Sequence, residues 1–216
     1  MIPPMTPADR IVAACRRQPV DRTPVWFMRQ AGRCLPAYRA LRQHYDILTL
    51  AKTPDLCTDV TLMPVETFGV DGAVMFADIM LPIEAMGLSL EIQPEIGPII
   101  HHPIRTWADM EALRVRDAEE ATPFVFDAIR QIRNRLDGGR AGLIGFSGAP
   151  FTLACYMIEG RPSRDYAVAK ALMFGDPPLW HALLAKVAEV VARYLRAQVA
   201  AGAQILQIFD SWVGAL

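Results

Sequence analysis

The densest chemistry in this chain lies in Met28–Arg39, MRQAGRCLPAYR. Arg29 and Arg33 bracket Gly32, and Arg39 follows shortly after. Carried on a turn behind a strand, the first two guanidiniums can converge on one cavity. A planar guanidinium suits bidentate capture of a carboxylate or phosphate. The plainer alternative, on spacing alone, is a set of surface arginines with solvated heads. Asp78, in FADIMLP, comes just after an apolar run that ends at Phe76. A carboxylate facing arginines is held ionised and can accept N–H donors from a ligand. Its plainer reading is a turn or helix cap.

A second segment, Gly145–Gly160, reads GFSGAPFTLACYMIEG: strand, turn, helix. Gly145 and Gly148 allow a tight turn with exposed N–H groups, but the Lys-Ser/Thr ending of a phosphate loop and a GxGxxG pattern are both missing. A nucleophile elbow is also missed, because Ala149 replaces the final glycine of GxSxG. Its triad would have to use Asp176 and His181, which crowd one helix start. Tyr156 and Glu159 lie on the helix after the turn, where Tyr156 either presents its hydroxyl to a site or packs in the core. No metal site is expected. His101 and His102 are adjacent and point to opposite faces of an extended segment, and His44 and His181 lack ligand-spaced partners.

Composition narrows the classes further. Among 216 residues, 52% are hydrophobic and 21% charged, which describes a folded chain rather than a disordered one. Lys+Arg at 22 against Asp+Glu at 23 leaves no basic footprint for nucleic acid or a membrane surface. The 4 cysteines, Cys15, Cys34, Cys57 and Cys155, form no Cys-x-x-Cys pair. Free thiols and the lack of a signal-peptide pattern lead to a cytoplasmic expectation. The uncharged run Ala141–Ile158 meets the crude membrane length of about 18 residues. Its glycines, its proline and a natural break at Ser147–Pro150 favour a buried strand followed by a helix.

The elements that must hold these residues follow from caps and apolar runs. Helices are expected over 6–18, with Thr6 as N-cap, over 36–45, and over 53–68, with Thr53 capping and Gly69 ending. Further helices are expected over 150–159, 163–174 and 176–201. Residues 106–136 read as helices broken near Thr122–Pro123, and 79–104 as loop with short extended pieces. Apolar strands are expected at 23–28, 72–76, 141–146 and 203–209. Continuous apolar strands alternating with helices imply parallel βαβ units with both sheet faces covered. Polar residues at their carboxyl ends are where such folds place their sites.

Together, PVWFMRQAGRCLPAYR (24–39), FADIMLPIEAMG (76–87), GFSGAPFTLACYMIEG (145–160) and FDSWVG (209–214) resemble the uroporphyrinogen decarboxylase family of haem biosynthesis. They occur in the family's order. Cys34 departs from the tyrosine usual before Leu-Pro. The resemblance implies a (β/α)8 TIM-barrel fold and cofactor-free removal of CO2 from the four acetate side chains of uroporphyrinogen III, giving coproporphyrinogen III. It also implies a homodimer. Arg29 and Arg33 match the family's carboxylate-binding arginines, and Asp78 the carboxylate that gathers the pyrrole N–H groups. Tyr156 and Ser211 match residues that bind substrate carboxylates. An arginine of the first motif is a candidate proton donor.

Length is the other departure. A typical α/β barrel takes about 250 residues, so 1–216 is expected to be a single barrel domain shortened at its C-terminus. It ends near strand five, without the family's glycine-histidine motif and without full activity alone. Two alternatives stand beside the carboxy-lyase. One is a non-catalytic porphyrinogen-binding fragment. The other is a corrinoid-linked methyltransferase of the same barrel superfamily, which would call for a His/Cys zinc site.

Overall fold

A computed structural model describes residues 2–93 and 96–216. In chain order its elements are α1 (Pro7–Cys15), α2 (Pro36–Leu41), α3 (Ile47–Lys52), α4 (Pro54–Phe68), β1 (Gly72–Val74), α5 (Leu81–Ala85), β2 (Leu90–Gln93) and β3 (Gly97–Ile100). There follow α6 (Trp107–Ala112), α7 (Ala118–Ala121), α8 (Pro123–Arg135), β4 (Gly142–Gly148), α9 (Pro150–Glu159), α10 (Ala167–Gly175), α11 (Pro177–Ala201) and β5 (Ile205–Phe209). The main sheet runs in the order β1-β4-β5. β1 and β4 are parallel, with Gly72 opposite Gly142 and Val74 opposite Ile144. The chain divides into two compact units.

The first unit holds the residues up to Asp78, Pro123–Phe146 and Ala197–Gln207. Its N-terminal helix is fastened by a buried ionic network. Arg10, 5% exposed, reaches Asp21 Oδ1 at 2.6 Å through Nε and Asp71 Oδ1 at 2.5 Å through Nη1. Asp71 also takes Arg22 Nη2 at 3.1 Å and the Val25 N–H at 2.8 Å. The arginine hydrogen bond, followed by that of the Met5 N–H, holds the Asp21 carboxyl well below the usual carboxylate range. Helices α4 and α8 pack together in this unit, where Phe126, Ile129 and Ile132 are fully buried.

The second unit holds Ile79–Thr122, Ser147–Arg196 and Ile208–Leu216. Its core joins α5, α9 and α11 through Met80, Ile83, Leu153, Met157, Leu183 and Val187. The antiparallel pair β2–β3 belongs here. Lys186 Nζ caps the end of α6 by donating to Met110 O at 2.9 Å and Leu113 O at 3.0 Å, a cation where the helix dipole favours one.

Most of the expected elements are found, with instructive differences. The expected strand at 23–28 is not a strand, because its inward N–H groups are taken by side chains: Val25 donates to Asp71 Oδ2 and Phe27 to Gln30 Oε1. Thr53 sits at the N-cap of α4 but makes no side-chain cap bond. The expected helix over 36–45 stops at Leu41, and α3 is an unforeseen helix capped by Asp46, which accepts the Thr49 N–H at 2.6 Å. Helix α10 starts later than expected, because Tyr166 takes a left-handed φ of 50°. β4 is buried throughout, as a strand covered on both faces should be. β5 instead alternates, leaving Leu206 and Ile208 exposed.

Candidate active site

Arg29 and Arg33 are exposed on the loop between residue 28 and α2. The loop begins with a turn in which Gln30 N–H donates to Phe27 O at 3.1 Å. Gly32 packs against this turn, and a Cβ there would meet Arg29 O at 3.3 Å. Arg39, on α2, folds back and donates from Nη1 to Arg33 O at 2.8 Å and to Cys34 O at 3.4 Å. Its guanidinium therefore braces the loop backbone, which leaves Arg29 and Arg33 as the outward-facing pair of this motif.

The approach to Asp78 is fixed from α4. Phe76 N–H donates to Thr61 Oγ1 at 2.8 Å, and the Cys57 thiol lies 3.1 Å from Phe76 O. The Phe76 ring meets Tyr38 edge-on at 5.7 Å, a favourable aromatic geometry. Leu35, Tyr38, Leu50 and Val60 form a small core, with Ala31 and Phe76 against it. One core thus carries both the arginine loop and the exit to Asp78, which is half-buried. The structure brings these two motifs onto a shared support within the first unit.

Tyr156 and Ser211 belong to the second unit. Tyr156, on α9, stacks on Trp212 with ring centroids 3.9 Å apart, and Tyr166 flanks Trp212 at 4.7 Å. Thr152, fully buried, donates to Asp210 Oδ1 at 2.8 Å and accepts the Trp212 N–H at 3.2 Å. This clamp places Ser211, between its two ends, beside α9. Thr152, Asp210, Trp212 and Gln30 were missed in the sequence. Only Asp210 carried a signal, as a polar residue closing an apolar run.

Other sequence features have structural roles. Gly145 and Gly148 lie inside β4 and form no phosphate cradle. A Cβ on Gly145 would collide with Gln198 Oε1, and one on Gly148 would meet Leu153 Cδ2 at 2.7 Å. Ser147 is 1% exposed and donates to Gly148 O at 3.0 Å, unlike a nucleophile at an elbow. Glu159 Oε1 accepts the Ala169 N–H at 3.0 Å and so serves the start of α10. Among the described residues no group of three or more His, Cys, Asp or Glu is placed to hold a metal. Nor is any helix among them long and apolar enough to cross a membrane.

A parallel sheet interleaved with helices defines a protein of the α/β class, a class whose sites lie at strand ends, where the Asp78 carboxylate and the arginine loop share one small core. The chain belongs to the uroporphyrinogen decarboxylase family, whose model, uroporphyrinogen decarboxylase (URO-D), matches residues 6–216. It is 55% identical over 208 residues to the uroporphyrinogen decarboxylase of Sorangium cellulosum, covering 96% of this chain and 59% of that protein. The proteins of the same name from Roseiflexus sp. and Thermus thermophilus are 53% and 52% identical over 96% of this chain and 60% of theirs. The chain therefore spans about 60% of the length of these curated relatives. A methyltransferase from Methanosarcina mazei superposes with a TM-score of 0.79 at 23% identity, over 96% of this chain and 60% of that one. At that identity the likeness concerns the fold alone, and it agrees with the expected barrel-family α/β architecture.

Proposed function

We propose that this chain carries part of a cofactor-independent carboxy-lyase site for uroporphyrinogen III. The observation behind the reading is the shared core under the arginine loop and the Asp78 exit, in a chain of this family. Arg29 and Arg33 capture substrate carboxylates through charge-assisted bonds. Asp78 accepts the pyrrole N–H groups and stabilises the positive charge that develops when a pyrrole carbon is protonated. The protonated ring is then the electron sink. The bond between the acetate methylene and its carboxylate breaks, CO2 leaves, and the electron pair flows into the ring as an exocyclic double bond. A proton then adds to that methylene to give the methyl group, and the ring carbon gives up the proton it first took, restoring the pyrrole. Tyr156 and Ser211 bind further carboxylates. The match of one family model across both units supports reading 1–216 as one domain of that family. A homodimer, a cytoplasmic setting and the absence of nucleic-acid partners belong to the same reading. They are supported by the family, by the free thiols and by the near-zero net charge of −1.

The test is anaerobic incubation of this chain with uroporphyrinogen III, with bound tetrapyrrole and partly decarboxylated products both quantified. Arg29→Ala and Arg33→Ala are each expected to weaken binding about tenfold or more, the order of a charged hydrogen bond. Asp78→Asn is expected to abolish any product while the fold is retained. Binding that is equal in wild type and all three variants would refute the reading. Binding without product in wild type, lost in the arginine variants, would mean that the binding residues are read correctly and that turnover needs more than this chain supplies.

A further inference from the structure

Residues 24–28 run beside β1 with one backbone rung, the Asp71 N–H donating to Val25 O at 2.7 Å, and a side chain supplies the next. Gln30 is 4% exposed. Its Oε1 accepts the Phe27 N–H at 3.0 Å, and its Nε2 donates to Gly72 O at 2.8 Å. A carboxamide has the acceptor and donor of a peptide group, so Gln30 bridges Phe27 to β1 as a rung of a sheet. The far end of that rung is firm. A Cβ on Gly72 would meet Ile144 Cδ1 at 2.8 Å, Ile11 Cδ1 at 3.0 Å and Trp26 Cβ at 3.1 Å, so the strand is tightly packed there. The near end closes the turn 27–30, which contains Arg29. Phe27, Met28 and Arg29 are all exposed, so Gln30 is the buried anchor of this turn.

We propose that Gln30 is a positioning residue for Arg29, holding the turn so that its guanidinium is presented to an anionic ligand. The proposal rests on the reading of Arg29 as a carboxylate-binding residue. A long arginine side chain already loses rotamer freedom on binding. A mobile turn beneath it would add backbone ordering to that loss, and preorganisation removes this part. The amide acts through hydrogen bonds to the backbone and need not touch the ligand.

The test is a double-mutant cycle of Gln30→Met and Arg29→Ala in this chain, with anaerobic binding of uroporphyrinogen III and amide hydrogen exchange over 24–34 as readouts. Gln30→Met keeps the length of the side chain and removes both bonds. It is expected to speed exchange at Phe27 and to raise the Kd about tenfold when Arg29 is present, but less than about twofold in the Arg29→Ala background, a coupling of the size that residues in one network show. A purely structural role would give the same factor in both backgrounds, and that result overturns the proposal. Unchanged exchange at Phe27 also overturns it. Equal binding by wild type and Arg29→Ala removes the reading on which it rests, a failure visible before the cycle is complete. Should Gln30→Met fail to fold, Gln30→Glu serves in its place. It keeps the acceptor and regains the donor only when protonated, so its Kd relative to wild type at the same pH is expected to improve as pH falls. A pH-independent ratio counts against the rung.

Discussion

A thiolate needs solvent or a dominant positive neighbour, and burial outweighs both at two of the cysteines. Burial pushes the Cys57 thiol up to about 12. Burial, followed by the charges of Glu159 and Asp210, does the same for Cys155. Cys15 and Cys34 are exposed. A disulfide reagent such as Ellman's is therefore expected to titrate Cys15 and Cys34 in the native chain, and Cys57 and Cys155 only after unfolding. The shift also has a stability consequence. An unfolded Cys57 ionises near its ordinary 9.0, and the folded one near 12. The contribution is complete below pH 9, is lost between 9 and 12, and leaves the folded state weaker at the alkaline end. Cys57→Ser should flatten that limb in denaturant titrations across this range. At this scale the sequence displayed Arg29, Arg33, Asp78, Tyr156 and Ser211 through their motifs. Gln30 and Thr152 stayed hidden because their meaning lies in partners 42 and 58 residues away.

Elements make their own prediction through α1 and β1. Asp71 is 1% exposed and serves two arginines and a backbone N–H. Removing one member of a buried ionic group strands the others, at a cost of about 3–5 kcal/mol. Asp71→Asn is expected to lower stability by that order in urea unfolding. Asp21 carries the pH dependence. Its folded pKa is depressed, so its contribution is present above the ordinary value of 3.8 and is lost as pH falls below it. Asp21→Asn should therefore give a shallower acid limb than wild type. Element boundaries were legible where the stop signal is local. Helix α11 runs from the Asp176 cap, which accepts the Leu179 N–H at 3.1 Å, to Gly202 at φ 124°. Helix α9 likewise ends on Gly160 at φ 76°. The 24–28 run differs from expectation because its apolar composition is that of a strand, and nothing in those residues reveals that carboxylate and amide side chains take its N–H groups. Helix α10 was placed too early because its start depends on the backbone of Tyr166 rather than on a capping residue.

At the scale of the whole molecule, the sheet is unevenly covered. β4 is buried along its full length, while Leu206 and Ile208 on β5 are 38% and 51% exposed, and Val199 on α11 is 51% exposed. Apolar side chains on a lightly covered strand promote association. Ile208→Lys is expected to reduce concentration-dependent light scattering of this chain while its far-ultraviolet dichroism stays the same. Scattering that is unchanged by the substitution would place the sticky surface elsewhere. The fold class was readable from the alternation of buried strands and helices. The half-covered state of β5 was not, because the composition of AQILQIF matches that of a fully enclosed strand.

The side-chain tether of the 24–28 run also bears on the order in which the chain can take shape as it is made. The Val25 N–H finds its carboxylate 46 residues later, at Asp71, and the Gln30 amide finds its carbonyl at Gly72. At about 5–20 residues per second, the arginine loop emerges from the ribosome several seconds before the residues that fix it. Through that interval the segment that carries its guanidiniums is unanchored, and the arrival of Asp71 and Gly72 is what fixes its backbone, while Arg29 and Arg33 themselves stay exposed.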